Sequence, residues 1–266
     1  MDSMQFTVTI SPQSGYEVVE LQDHMSGAQV QLYSLGALLN AYVIPTKTGT
    51  INGIDGFSSI NDAVANATAG FKSSKLSPFV CRLQQGKYTF NQKEYTIGGF
   101  YLGEHAIHGL LFNAAFNITD TKSTATEASV IFSHHYQGTD SGYPFHFTLQ
   151  VTWKLSADNT LQVATKATNN HNSTIPFSDG WHPYFMMGET IDTATLSFTT
   201  NKQLEFSEDL LPTGNTIEDN RFVNGQKMEG VFLDNCFLLD HHSETKHHCT
   251  LKNDAVTLKI TPDKQY

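Results

Sequence analysis

Phe145-His146-Phe147-Thr148-Leu149-Gln150-Val151-Thr152-Trp153-Lys154-Leu155 is the stretch that decides the fold class. Its odd-numbered positions are apolar and its even-numbered positions polar, which is the period of a pleated strand whose side chains point alternately to two faces. The stretch predicts a long, half-buried strand. A turn-like Ser156-Ala157-Asp158-Asn159 follows, and Leu161, Val163 and Ala167 fall on alternate positions after it. An antiparallel hairpin is the natural reading.

Shorter copies of the pattern surround this centre, in Phe6-Val8-Ile10, Val30-Leu32 and Val256-Leu258-Ile260, each written by its alternate positions. Lys87 to Phe90 and Glu94 to Ile97 flank Asn91-Gln92-Lys93, a second hairpin signature with a polar tip. Only the region from Ser59 to Ala69 suggests a short helix, and no segment sustains helical periodicity over three turns. The expectation is an all-β antiparallel sandwich with few short helices and long loops, built as one domain over residues 1–266. There is no internal repeat, low-complexity tract or linker to divide it.

Bulk composition narrows the partners. Aromatic residues make up 11% and charged residues 16% of the 266, ample for a packed interior. A net charge of -10 argues against a nucleic-acid partner, whose phosphates call for Lys and Arg. No apolar run approaches the ~20 residues of a membrane span, and Met1-Asp2-Ser3-Met4-Gln5-Phe6 lacks a basic region followed by an apolar one. The expected setting is cytoplasmic, away from membranes, as a monomer or weak homodimer. Cys81, Cys236 and Cys249 are too few and too scattered for a disulfide framework and are expected as reduced thiols.

Polar side chains gather in aromatic, Gly-rich surroundings at two places: Gly103 to Gly109 (Gly-Glu-His-Ala-Ile-His-Gly), and Ser178 to Phe185 (Ser-Asp-Gly-Trp-His-Pro-Tyr-Phe). An aromatic beside a histidine suits a sugar, whose C–H face packs on an apolar plane while its hydroxyls need fixed donors and acceptors. Taken alone, His108 and His182 fit equally the plainer role of satisfying local backbone groups.

The order of several motifs goes further. Pro78-Phe79-Val80-Cys81-Arg82-Leu83-Gln84-Gln85-Gly86-Lys87-Tyr88 resembles the Asn-Arg-Ile…Gly-x-Phe segment of the aldose 1-epimerase (galactose mutarotase-like) family, with Arg82 at the arginine. His105-Ala106-Ile107-His108-Gly109 resembles the family's Leu-His-Gly-Gly segment, with His108 at the histidine. Gly142-Tyr143-Pro144, the long strand, Asn159-Thr160-Leu161 and Trp181-His182-Pro183-Tyr184-Phe185 resemble its central block, ending in His-x-Tyr-Phe. Leu211-Pro212-Thr213-Gly214 and Leu233-Asp234-Asn235-Cys236-Phe237 continue the match in order.

The resemblance implies a large antiparallel β supersandwich with the sugar in an open cleft. It implies interconversion of the α and β anomers of a free aldose, a hexose such as glucose or galactose, by acid–base ring opening and closure without metal or organic cofactor. His182 takes the place of the general acid to the ring oxygen, His108 of its hydrogen-bonding companion, and Arg82 and Asp234 of the groups holding ring hydroxyls. The family's base is a glutamate after a strand resembling Pro-x-Leu-Gln-x-Tyr. Nothing here matches it, so the chain is expected to lack that strand and base segment. Glu104 and Glu189 lie near the histidine motifs in sequence and are the substitutes to test, although each reads first as a solvated surface residue.

Cys81 stands where the family has asparagine, Pro183 follows His182, and Leu110 replaces the second glycine, where it is expected to narrow the cleft. His241-His242 and His247-His248-Cys249 invite a metal, but the polar run between them reads as a hairpin turn and no metal site is expected. Two rival readings are a hexose-6-phosphate 1-epimerase, which calls for a basic cluster, and a non-catalytic carbohydrate-binding domain.

Overall fold

The computed structural model describes residues 4–47, 49–238 and 249–262. The chain groups into two compact units, Met1–Phe185 and Met186–Tyr266. In the first unit, β1 (Phe6–Gln13), β2 (Tyr16–Asp23), β3 (Gln29–Tyr33), β4 (Leu38–Thr46) and β5 (Gly49–Asn52) form a five-stranded meander paired in sequence order. Helix α1 (Ile60–Asn66) follows, opened by Ser59, whose hydroxyl accepts the Asp62 N–H at 3.2 Å. Next come β6 (Ser74–Leu76), β7 (Arg82–Leu83), β8 (Lys87–Phe90), β9 (Lys93–Thr96), β10 (Tyr101–Leu102) and β11 (His105–Ile107). A four-stranded sheet of β12 (Asn117–Ser123), β13 (Glu127–Gln137), β14 (His146–Ser156) and β15 (Thr160–Asn169) precedes β16 (Gly180–His182).

Strand β14 carries the core. Phe147, Leu149, Val151, Trp153 and Leu155 are essentially inaccessible, while the residues between them keep partial exposure. They share one apolar cluster with Val130 and Phe132 of β13 and with Val19, Leu21, Val30 and Leu32 of the five-stranded sheet. Two antiparallel sheets therefore close on one interior, as the alternation predicts. The Trp153 indole N–H, which cannot be left unpaired there, donates to the Ala37 carbonyl at 2.9 Å.

Some local expectations need correcting. The β8–β9 tip has two residues, not three: Asn91 and Gln92 both adopt left-handed backbone, and Lys93 pairs with Phe90. Two left-handed residues give the turn whose twist matches the flanking strands. Ile10 is 43% exposed because its end of the β1–β2 hairpin runs beyond the core, and Ala167 is exposed on edge strand β15. Thr165 faces inward in the register of Leu161 and Val163.

In the second unit, β17 (Thr195–Phe198), β18 (Lys202–Phe206), β19 (Pro212–Glu218), β20 (Gln226–Lys227), β21 (Cys249–Lys252) and β22 (Thr257–Ile260) form one sheet in the order β20-β17-β21-β22 and a separate β18–β19 hairpin. Phe198, Phe222 and Phe237 cluster beside them. No helix among the described residues is long and apolar enough to cross a membrane.

Candidate active site

A three-residue ladder places His182. In it β16 runs antiparallel to β6, with Ser74 opposite His182, Lys75 opposite Trp181 and Leu76 opposite Gly180. Trp181 packs edge-on against Trp153, with ring centroids 5.3 Å apart, so its side chain turns to the core. Alternation then directs His182 to the other side of the ladder. The Ser73 N–H holds the His182 carbonyl at 2.8 Å, and the Trp181 indole donates to the Ser73 carbonyl at 3.2 Å.

His108 arrives from a different direction. It follows β11, whose Ile107 pairs with Arg82 of β7, and its own backbone is left-handed at φ 63°. Its N–H donates to the Cys81 carbonyl at 3.0 Å. Gly109 is required where it stands: φ is +79°, and a β-carbon would collide with the Ser77 carbonyl. The Leu110 N–H closes this crossing by donating to that carbonyl at 2.7 Å.

The two imidazoles meet with centroids 5.0 Å apart. Phe71 stands edge-on to His108 at 4.6 Å and is itself packed on Phe100 and Phe112, so one side of the pair is an aromatic wall. The Tyr184 ring lies 5.3 Å from His182 and remains 38% exposed. Burial pushes the His108 pKa down to about 4, helped by the neighbouring His182 and the Arg82 guanidinium. His108 is therefore neutral at pH 7, and its Nδ1 is buried without a hydrogen-bond partner among the described residues.

The sequence model of the family described as aldose 1-epimerase matches residues 17–265. This chain belongs to the aldose 1-epimerase family. It is similar to an aldose 1-epimerase of Streptococcus thermophilus, 24% identical over 202 residues, which is 73% of this chain and 56% of that one. The chain thus spans little more than half the length of this family relative. In fold it is similar to a GalM/aldose epimerase homologue from C. elegans, with TM-score 0.75, 18% identity and coverage of 94% of this chain and 76% of that one. A galactose 1-epimerase from Lactobacillus acidophilus gives TM-score 0.77 at 17% identity, covering 93% and 77%. The galactose mutarotase-like fold expected from the motifs is the fold of this family member.

Of the sequence-derived candidates, the structure brings together His108, His182 and Arg82. Asp234 belongs to the second unit and sits in an exposed, irregular segment. Glu104 is exposed in the turn between β10 and β11, and Glu189 is exposed in the second unit. Leu110 is partly buried. Its side chain packs on the main core and over Gly99, where a β-carbon would collide with it. Burial raises the thiol pKa of both Cys236 and Cys249, while Cys81 is exposed. His241, His242, His247 and His248 lie outside the described residues; among the described ones no group of three or more His, Cys, Asp or Glu could hold a metal ion.

Sequence reasoning passed over Phe71 and Lys75. Phe71 had a faint signal in its apolar, Gly-preceded context. Lys75, between Ser74 and Leu76, reads as a solvated lysine and is in fact 2% exposed.

Proposed function

We propose that the chain interconverts the α and β anomers of a free aldose. The observation that carries this reading is the 5.0 Å imidazole pair formed by His108 and His182, the two histidines that the motif resemblance singles out. Anomer exchange needs a proton removed from the C1 hydroxyl and a proton delivered to the ring oxygen, after which the open aldehyde rotates about C1–C2 and recloses. Acid–base catalysis of this kind contributes about 10²–10⁴-fold.

By the motif resemblance His182 takes the place of general acid to the ring oxygen, a role that suits an imidazole, and burial holds its neighbour His108 neutral. His108 then offers a neutral imidazole hydrogen bond to the same region. Arg82, 26 residues before His108 in chain order and close enough to depress its pKa, supplies a fork of donors for ring hydroxyls. The exposed Tyr184 ring beside His182 gives an apolar plane for the sugar's C–H face. Asp234 as a second hydroxyl ligand rests on the motif resemblance alone. The base that takes the C1 proton is to be sought with Glu104→Gln and Glu189→Gln.

Polarimetry of freshly dissolved α-glucose and α-galactose, with glucose 6-phosphate alongside, tests the proposal. The expected result is accelerated rotation with a free hexose, lowered about 10²–10⁴-fold by His182→Ala without change in the unfolding midpoint. No acceleration by the folded chain, with sugar binding retained, would make it a carbohydrate binder. Acceleration confined to the phosphate ester would move the substrate class.

A further inference from the structure

Behind the site lies a buried lysine that the proposed chemistry does not use. The Lys75 side chain is 3% exposed, and its ammonium donates to Asp179 Oδ2 at 2.7 Å and to Thr165 Oγ1 at 2.9 Å. The other carboxylate oxygen, Asp179 Oδ1, accepts from the Ser77 hydroxyl. The Asp179 side chain is 23% exposed and Thr165 is partly buried, while Lys75 and Ser77 are buried. Since Lys75 lies opposite Trp181, it faces the core side of the ladder, away from the face that His182 takes.

We propose that Lys75 and Asp179 are a positioning pair that sets the spacing of the two histidine rings. The carboxylate joins both histidine-bearing segments. Through its own backbone it leads in three residues to His182, and through Ser77 it reaches the carbonyl that receives the Leu110 N–H and crowds Gly109, the neighbour of His108. Lys75 anchors this knot to β15 at Thr165, the polar residue standing in an inward register otherwise held by Leu161 and Val163. Burial disfavours the charged lysine and Asp179 opposes that effect, so as a source of stability the pair is poor. Holding two short strand ends in one geometry is the use that remains.

For its activity readout this inference rests on the proposed anomer exchange, so the test pairs that readout with one independent of it. Two variants of the full chain serve: Lys75→Met/Asp179→Leu, which removes both charges together, and Ser77→Ala, which leaves the ion pair but cuts its link to the His108 segment. In both, the folded protein is expected to show shifted or broadened His108 and His182 ring signals in ¹⁵N–¹H spectra, with kcat about tenfold lower or more and KM within about threefold. A merely structural pair would move the unfolding midpoint and leave ring signals and kcat as they were, and that result in a folded variant overturns the proposal. If the double variant does not fold, the ring signals of Ser77→Ala decide. A wild-type chain without anomer exchange defeats the functional reading but leaves the ring signals to judge the pair.

Discussion

Strands β14 and β16 touch through Trp153 and Trp181, yet they are held in place by different means. Every residue of β14 from His146 to Ser156 pairs with β13, and the strand pairs with β15 over nearly its whole length, its inner side chains sealed between two sheets. By contrast, β16 pairs over three residues with β6, and of the residues facing each other there only Trp181 and Leu76 are large and apolar. Burial alone can fix a long strand. A short ladder has too little area for that, and side-chain bonds from Lys75, Ser77 and Asp179 add to its hold on the segment that carries His182. Besides the tryptophan contact, the Lys75 hydrogen bond to Thr165 of β15 ties the short ladder to the long sheet.

The contrast yields graded tests. Trp153→Ala, by opening a cavity and orphaning the Ala37 carbonyl, should cost about 3–5 kcal/mol in urea unfolding while leaving the turnover of the folded fraction near wild type. A turnover that falls in step with stability would erase the separation of the two regions. Gly109→Ala should cost about 3 kcal/mol, from a left-handed alanine and a collision with Ser77, and should also disturb His108. Retained stability there would show that the crossing is slack.

Protonation probes the site side of the comparison. The folded His108 pKa of about 4 lies below the unfolded value of ~6.5, so the unfolded chain binds the proton more readily. The stability this ring contributes is fully present above about pH 6.5 and is lost as pH falls from there through 4. Compared with His108→Asn, a variant suited to left-handed backbone, the wild type should lose roughly 2 kcal/mol more over that interval in denaturation series. Parallel pH curves would remove burial as the cause of the depressed pKa. Smallest is Ser59→Ala at the start of α1, outside both ladders, expected to cost about 1 kcal/mol in thermal unfolding with no change in the imidazole pair.

Legibility followed the same division. The period-two run around Trp153 displayed the sandwich because burial on one face writes itself into every second residue. The β8–β9 tip was misjudged by one residue because Asn91, Gln92 and Lys93 are all polar, and only the twist of the paired strands selects two of them. His108 and His182 were visible through motif order, but their ring contact was not, since 74 positions separate them and two unrelated backbones bring them together. The packing of Leu110 over Gly99 was not legible, because sequence shows a larger side chain and not the surface that receives it.

By itself, then, the sequence determined the all-β class, the long central hairpin and the family to which the motifs belong, because these rest on periodicity and on short contiguous patterns. Only the tertiary structure decided that Lys75 is buried, that Thr165 breaks an apolar register to meet it, and that a carboxylate at Asp179 ties both histidine segments. Those are contacts between residues 90 or more positions apart, and a solvated and a buried lysine have the same letter until the chain closes over one of them.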